Sequence, residues 1–327
     1  MNWNGKRVFV TGAGGFIGSH LCERLVGDGA DVTAFVHYNS LGRRGWLDES
    51  AAIQQIRVIA GDVRDRSRVA SAMEGCSAVF HLAALIGIPY SYVAASSYVQ
   101  TNVMGTLNVL ECAREHEVER VVHTSTSEVY GTALRVPIDE QHPLQGQSPY
   151  SASKIGADKM AEAFHKSFGL PVAVVRPFNT YGPRQSARAL IPTIVTQLLA
   201  GNVVRVGHVH PTRDFLYVAD TVDGFVRAAE AEGAIGRVIN LGTGREIAVG
   251  DLVERIAALM GKRADVVSEA QRKRPARSEV ERLCASSQLA HEILEWGPHH
   301  SLDEGLGKTI AWIGEHRDRF RPQVYAI

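Results

Sequence analysis

Cysteine is scarce in this chain of 327 residues: there are four, at Cys22, Cys76, Cys112 and Cys284, with no CxxC pair and no metal-ligand spacing. That scarcity excludes a disulfide framework and fits a reducing compartment. Cys22 and Cys112 fall in apolar-periodic helical stretches and read as ordinary buried thiols. Net charge is lacking too. The 35 basic side chains are matched by 35 acidic ones, which argues against a nucleic-acid binder and its basic surplus. It leaves room for a local cationic pocket. No apolar run is long enough to span a bilayer, since the most apolar later stretch, 79–99, is broken by His81, Pro89 and several serines. The opening residues, MNWNGKRVFV, contain no signal-peptide core. These absences predict a soluble, cytoplasmic protein with no nucleic-acid or membrane partner.

What the chain does have is an apolar share of 45%, ample for a buried core. Short β-branched runs alternate with longer amphipathic ones. Strands are expected at 6–10, 32–36, 56–60, 78–82, 120–124 and 172–176, with helices at 15–27, 66–73, 95–116 and 149–168. Such alternation predicts an α/β fold, a doubly wound Rossmann parallel sheet with helices on both faces. After Pro177 the pattern changes. Residues 178–188 read as a loop; 189–200, 221–231 and 249–260 read as helices, and 203–206 and 237–241 as strands. The expected division is a Rossmann domain at 1–178, with a returning segment at about 213–247. A smaller C-terminal α/β substrate lobe would use 179–212 and 248–327.

The first chemical signal is the run Thr11-Gly12-Ala13-Gly14-Gly15-Phe16-Ile17-Gly18, directly after a strand and opening a helix. Gly12 suits a tight turn, Gly15 lets backbone approach a pyrophosphate, and Gly18 allows close helix–strand packing. The helix N-terminus offers free N–H groups to phosphate. A dinucleotide is the expected ligand. The acidic residue usual at the end of the second strand is missing: the stretch is Ala34-Phe35-Val36-His37-Tyr38-Asn39-Ser40. NAD and NADP therefore both stay open. Arg43 and Arg44 are in reach of a 2′-phosphate, although solvated loop arginines are the plainer reading. Asp62, after the third strand, stands where adenine would lie.

The second signal is Tyr150-Ser151-Ala152-Ser153-Lys154 near the start of a helix. An i, i+4 spacing puts phenol and ammonium on one face, and a nearby Lys⁺ favours the phenolate, so Tyr150 is a candidate base near neutral pH. Hydroxyl partners are available in Thr124-Ser125-Thr126-Ser127-Glu128, at the end of the preceding strand.

With Gly12, Gly15, Gly18, Asp62-Val63, His81-Leu82-Ala83-Ala84, Asn102, Ser125, Tyr150, Lys154, Arg176-Pro177-Phe178-Asn179 and Arg213-Asp214-Phe215, nearly the whole chain resembles one family. These are the extended short-chain dehydrogenase/reductases acting on nucleotide sugars. The resemblance implies a tightly bound nicotinamide cofactor, with NAD favoured and NADP not excluded. Contacts to it would come from the glycine turn with Phe16 and Ile17, from His37, Asp62, Val63, Leu82, Ala83, Ala84, Asn102 and Pro177, and from Tyr150 and Lys154. It also implies substrate contacts from Tyr90, Glu128, Asn179, Arg213 and Arg282, and a homodimer through helices 95–116 and 149–168. His81 is expected to act structurally.

The run Ser125-Thr126-Ser127-Glu128-Val129-Tyr130-Gly131 narrows the family. A glutamate at 128 resembles the 4,6-dehydratases and the uronate decarboxylases, whereas simple 4-epimerases carry a small residue there. In a dehydratase Tyr150 removes the C4 hydroxyl proton, Glu128 takes the C5 proton, and water leaves from C6. Many of these enzymes have Asp where Ser127 stands, which puts the C6 acid in doubt. Further runs, Leu85–Tyr92, Pro177–Gln185, Arg274-Pro275 and Ser278–Leu283, are similar to the LegB-type dehydratases, which act on a nucleotide-linked N-acetylglucosamine. A decarboxylase or 4-epimerase on the same scaffold is the alternative, and a non-catalytic nucleotide sensor the alternative from another class. Of the basic cluster at 272–282, Arg282 is expected at the diphosphate. Arg272, Lys273, Arg274 and Arg277 are expected in solvent. His208/His210 and His299/His300 lack a third ligand, so no metal is expected.

Overall fold

A computed structural model describes residues 1–321. The first half alternates as β1 (Arg7–Thr11), α1 (Phe16–Gly27), β2 (Asp31–His37), β3 (Ile56–Gly61), α2 (Arg66–Met73) and β4 (Ala78–His81). Then come α3 (Ile88–Ser91), α4 (Ala95–Tyr98), α5 (Gly105–Glu115), β5 (Arg120–Thr124), α6 (Pro149–Phe168) and β6 (Val172–Pro177). The remainder holds β7 (Asn179–Tyr181), α7 (Leu190–Ala200), β8 (Val203–Val206), β9 (Thr212–Tyr217), α8 (Val218–Glu230) and β10 (Val238–Leu241). It closes with β11 (Glu246–Ala248), α9 (Val249–Leu259), β12 (Asp265–Ser268), α10 (Gln288–Leu294) and α11 (Leu302–Glu315).

Seven strands form one parallel sheet in the order β10-β6-β5-β4-β1-β2-β3. The order reverses between β1 and β4. In such sheets the crevice outside the carboxyl ends of those strands is where ligands bind. Helices cover both faces, so the central strands are buried on both sides; β6 has no residue outside the core. Near-continuous runs such as Val172-Ala173-Val174-Val175 follow from that double burial. Two small sheets, β11-β9-β7 and β12-β8, lie outside it.

Helix α6 is strongly delimited. Ser148 and Ser151 form a reciprocal cap at its start with Pro149 in the first turn, and Gly169 ends it in the left-handed conformation. Those caps fix the register of Tyr150, Lys154 and Asp158 on one face. The helix expected over 95–116 is interrupted: a π-helical stretch, Val99–Met104, joins α4 to α5. The loop expected over 178–188 contains β7, which pairs in parallel with β9 far along the chain. A three-residue strand between Pro177 and Gly182 is too short to show a period, and only a distant partner makes it a strand. Among the described residues, no helix is long and apolar enough to cross a membrane.

Candidate active site

Outside the carboxyl ends of β1, β2, β4, β5 and β6 lies a cavity of about 1310 Å³. That exceeds the usual 300–1,000 Å³ or so of a single-ligand pocket. One end is walled by the turn Gly12–Gly18, the end of β2, and Asp62 and Val63; the middle by Leu82–Ala84, residues 124–128, Tyr150 and Lys154. The other end is walled by Asn179, Leu190, Arg205, Arg213, Arg274 and Glu279.

The glycine turn fits a dinucleotide. α1 begins at Gly15 with no side-chain cap, leaving its first N–H groups for a ligand. A Cβ on Gly18 would sit 2.3 Å from the Gly12 carbonyl oxygen, so only glycine lets the helix approach the turn this closely. Behind it, Thr11 Oγ1 accepts the N–H groups of Leu82 and Ala83, both at 3.1 Å, and pairs with His81 Nδ1 at 2.8 Å. With both acceptor positions used, Thr11 must donate to His81, leaving the ring neutral with its proton on Nε2, facing Thr106 at 3.0 Å. Burial holds the His81 pKa well down, consistent with a neutral ring. His81 thus fastens the Leu82–Ala83 backbone beside the turn. Asn102 does not line the cavity. Buried, its side chain holds Leu85 from both sides, bonding its N–H at 2.8 Å and its carbonyl at 2.9 Å, and so shapes the wall from behind.

Phenol, hydroxyl and ammonium converge as the sequence suggests, with changed partners. Of the hydroxyls expected near Tyr150, that of Ser125 donates to Asp158 at 2.7 Å. The Thr126 hydroxyl is the one near enough to act on the Tyr150 phenol, favouring its ionised form. Lys154 donates to the Thr124 carbonyl at 2.7 Å, and burial pulls its ammonium down to about 8 against the attraction of Asp158. Burial, with Glu128 adding repulsion, pushes the Tyr150 phenol up, although the nearby Thr126 hydroxyl opposes it. The protein by itself therefore keeps the phenol protonated near neutral pH, which differs from the phenolate expected from the Lys154 spacing alone.

Asp158, one turn beyond Lys154, is fully buried. It accepts from Arg176 at 2.8 and 3.2 Å, and His123 Nε2 lies 3.3 Å from its other oxygen. Burial raises its carboxyl, but His123, Arg176 and Lys154 together outweigh that and hold it at about 2, below the ordinary 3.8. A depressed folded value means the stabilisation is complete above about pH 4 and is lost as pH falls toward 2. Asp158→Asn leaves the Arg176 guanidinium buried without its countercharge, at an expected cost of about 3–5 kcal/mol. Denaturant unfolding checks this; the variant should also show a flatter loss of stability between those two pH values.

At the far end the arginines are distributed otherwise than expected. Arg282 is not brought into the cavity: its side chain is half exposed and chelated by Glu246. Arg274, expected in solvent, lines the cavity 3.4 Å from Glu128 and 3.8 Å from Glu279. Arg213 completes the group, 3.2 Å from Glu279, and Arg272 also faces the cavity. The signal for Arg274 was its proline neighbour and Glu279 five residues on, a pattern a charge count cannot separate from a solvated cluster. Tyr90, Asn179, Pro177, Ser127 and Glu128 line the cavity; Glu128 has only 12% of its side chain exposed. Among the described residues no His/Cys/Asp/Glu group could hold a metal; His210 faces Glu281 and His300 faces Asp220.

A family model described as GDP-mannose 4,6 dehydratase matches residues 9–309. The chain is 36% identical to a dTDP-glucose 4,6-dehydratase of Streptomyces griseus, over 98% of this chain and 97% of that one. It is 33% identical to a UDP-glucose 4-epimerase of Mycolicibacterium smegmatis, over 94% and 98%. Among solved structures, a dTDP-glucose 4,6-dehydratase from Streptomyces venezuelae, with NAD bound, superposes with a TM-score of 0.89 at 33% identity, covering 97% of this chain and 99% of that one.

Proposed function

We propose that this chain, which belongs to the GDP-mannose 4,6 dehydratase family of nucleotide-sugar enzymes, is a nucleotide-sugar 4,6-dehydratase working on bound NAD. The observation that carries the reading is the placement of the Glu128 carboxylate in the same cavity as Thr126, Tyr150 and Lys154. An epimerase needs a base only at C4; a second buried base is what elimination across C5 and C6 requires.

The glycine turn, the open start of α1 and the backbone fixed by Thr11 and His81 suit the dinucleotide, with Tyr150 and Lys154 toward its nicotinamide end. When bound, the cofactor supplies a reversible hydride store and, oxidised, a positive charge beside the phenol. Tyr150, as the phenolate that Lys154 and the positive charge of the oxidised cofactor would favour, takes the proton of the sugar C4 hydroxyl as the C4 carbonyl forms, with the Thr126 hydroxyl beside it. That carbonyl acidifies C5–H, and Glu128 takes the proton. The C6 hydroxyl leaves as water, the hydride removed from C4 would return to C6 and a proton to C5, so the product is the 4-keto-6-deoxy sugar with no net redox change. Ser127 lies beside Glu128 where a stronger acid would protonate the leaving group, so the protonated Glu128 is the acid we assign. Arg213, Arg274 and Asn179 face the diphosphate end, where arginine forks suit paired phosphates.

The substrate we assign is a UDP- or GDP-linked N-acetylglucosamine, on the local likeness to the LegB-type dehydratases, although the relatives described above act on dTDP-glucose or UDP-glucose. The test is a panel of UDP-, GDP- and dTDP-sugars with UDP-glucuronate, read by mass spectrometry. Loss of one water from the N-acetylglucosamine nucleotides is the expected result. Loss of carbon dioxide from UDP-glucuronate, or a change at C4 without loss of mass, overturns it. A homodimer belongs to the same reading: the helical run from 95 to 115 packs against α6, and Val99, Met104 and Phe168 are exposed along the pair. Light scattering should return twice the chain mass, and Met104→Glu should lower it.

A further inference from the structure

We propose that the adenosine end of the cavity accepts a 2′-phosphate, so that the chain binds NADP(H) as well as NAD(H), with Arg43 as the residue that recognises the extra phosphate. The inference rests on the dinucleotide reading of the cavity and not on the sugar chemistry.

An NAD-selective site of this fold ends its second strand in a carboxylate, which bonds both ribose hydroxyls and repels a phosphate. Here β2 ends in His37, and the cavity wall continues through Asn39, Arg43 and Arg44. The nearest carboxylate, Asp62, is already neutralised: Arg64 grips it side-on, with contacts of 2.6, 3.0 and 3.1 Å, and His37 Nδ1 lies 3.9 Å away. Those contacts hold the Asp62 carboxyl below its ordinary value, chiefly through the Arg64 bonds.

The segment after β2 is a built wall. The Asn39 side chain accepts the N–H groups of Leu41 and Arg43 at 3.2 and 3.1 Å and donates to the Arg43 carbonyl at 2.7 Å, closing the turn on itself. Gly45, at φ +68°, touches the phosphate-binding turn: a Cβ there would stand 2.2 Å from the Gly14 oxygen. Trp46 donates its backbone N–H to that same oxygen at 2.9 Å, and its ring meets Trp312 of α11 edge-on at 5.3 Å. The wall is thus pinned between the glycine turn and the C-terminal helix.

The two arginines on it are not equivalent. Arg44 is tied to Asp48, 2.7 Å from its Nε. Arg43 reaches Asp48 only as a more distant charge, so its guanidinium keeps its hydrogen-bonding fork for a ligand. Along this wall three guanidinium groups and His37 face two carboxylates, each already taken by an arginine. A 2′-phosphate, with a charge of about −1.5 to −2 and three acceptor oxygens, meets attraction there.

The test compares adenosine 2′,5′-bisphosphate with adenosine 5′-monophosphate as displacing ligands on the purified protein, together with chromatographic identification of the dinucleotide it carries when isolated. The bisphosphate is expected to bind about tenfold more tightly, Arg43→Ala to erase that margin, and His37→Asp to reverse it. Retained binding of the monophosphate shows that each variant is folded. A wild-type protein that binds the monophosphate as well as or better than the bisphosphate overturns the proposal, as does an Arg43→Ala variant that keeps the margin. Neither readout involves turnover, so failure here leaves the dehydratase reading standing, and an inactive sugar panel leaves this one standing.

Discussion

Tyr150→Phe is expected to lower turnover about a thousandfold while leaving the fold and the binding of nucleotide sugar near wild type. The substitution removes one oxygen, near the Thr126 hydroxyl, and leaves the ring edge-on to Tyr98 at 6.3 Å. Packing is therefore preserved and only the proton-transfer group is lost. The check is steady-state turnover on the panel substrate beside a calorimetric measurement of sugar-nucleotide affinity. A variant with full turnover would remove Tyr150 from the reaction. A variant that neither binds nor turns over would point to an architectural role for the hydroxyl instead.

Glu128→Gln should cost about a hundredfold or more, and at a different step. Oxidation at C4 uses Tyr150 and the cofactor and not Glu128, so it should persist, whereas proton removal at C5 should not. In deuterated water the wild type places deuterium at C5 of the product; the variant should oxidise C4 and incorporate none. Equal loss of both steps would mean that Glu128 binds the sugar rather than acting on it. Arg274, 3.4 Å from the same carboxylate, separates holding the base from being it. Arg274→Ala should slow the C5 step less than Glu128→Gln does, with partial recovery in Arg274→Lys.

Most helices and strands of the first half were legible because they are long enough to show their own period, whereas the four-residue α3 was not and the run over 95–116 hid its π-helical break. The span of α6 is the clearest case, with Pro149 at its start and Gly169 just past its end. The glycine turn and the Tyr150–Lys154 spacing were legible for the same reason: the chemistry lies within a few residues. What escaped depends on partners distant in the chain. β7 is a strand only because β9 lies beside it. Arg274 and Arg282, eight positions apart, exchange their expected places, because Glu246 captures one and Glu128 the other. The partner of the Ser125 hydroxyl is likewise decided at a distance, by Asp158. No local pattern contains that competition.

The last strand to join the large sheet has a consequence for how the protein is made. β10 pairs with β6 along Val238–Leu241, some sixty residues after β6 itself has been synthesised. Until then β6 presents a free edge of Val172, Val174 and Val175, the apolar parallel strand that invites pairing with another chain. A fragment stopped at residue 178 would retain the glycine turn and Tyr150 yet keep that edge bare. The nucleotide half is therefore not a portable module: the ribosome must deliver the chain through β10 before the sheet is closed.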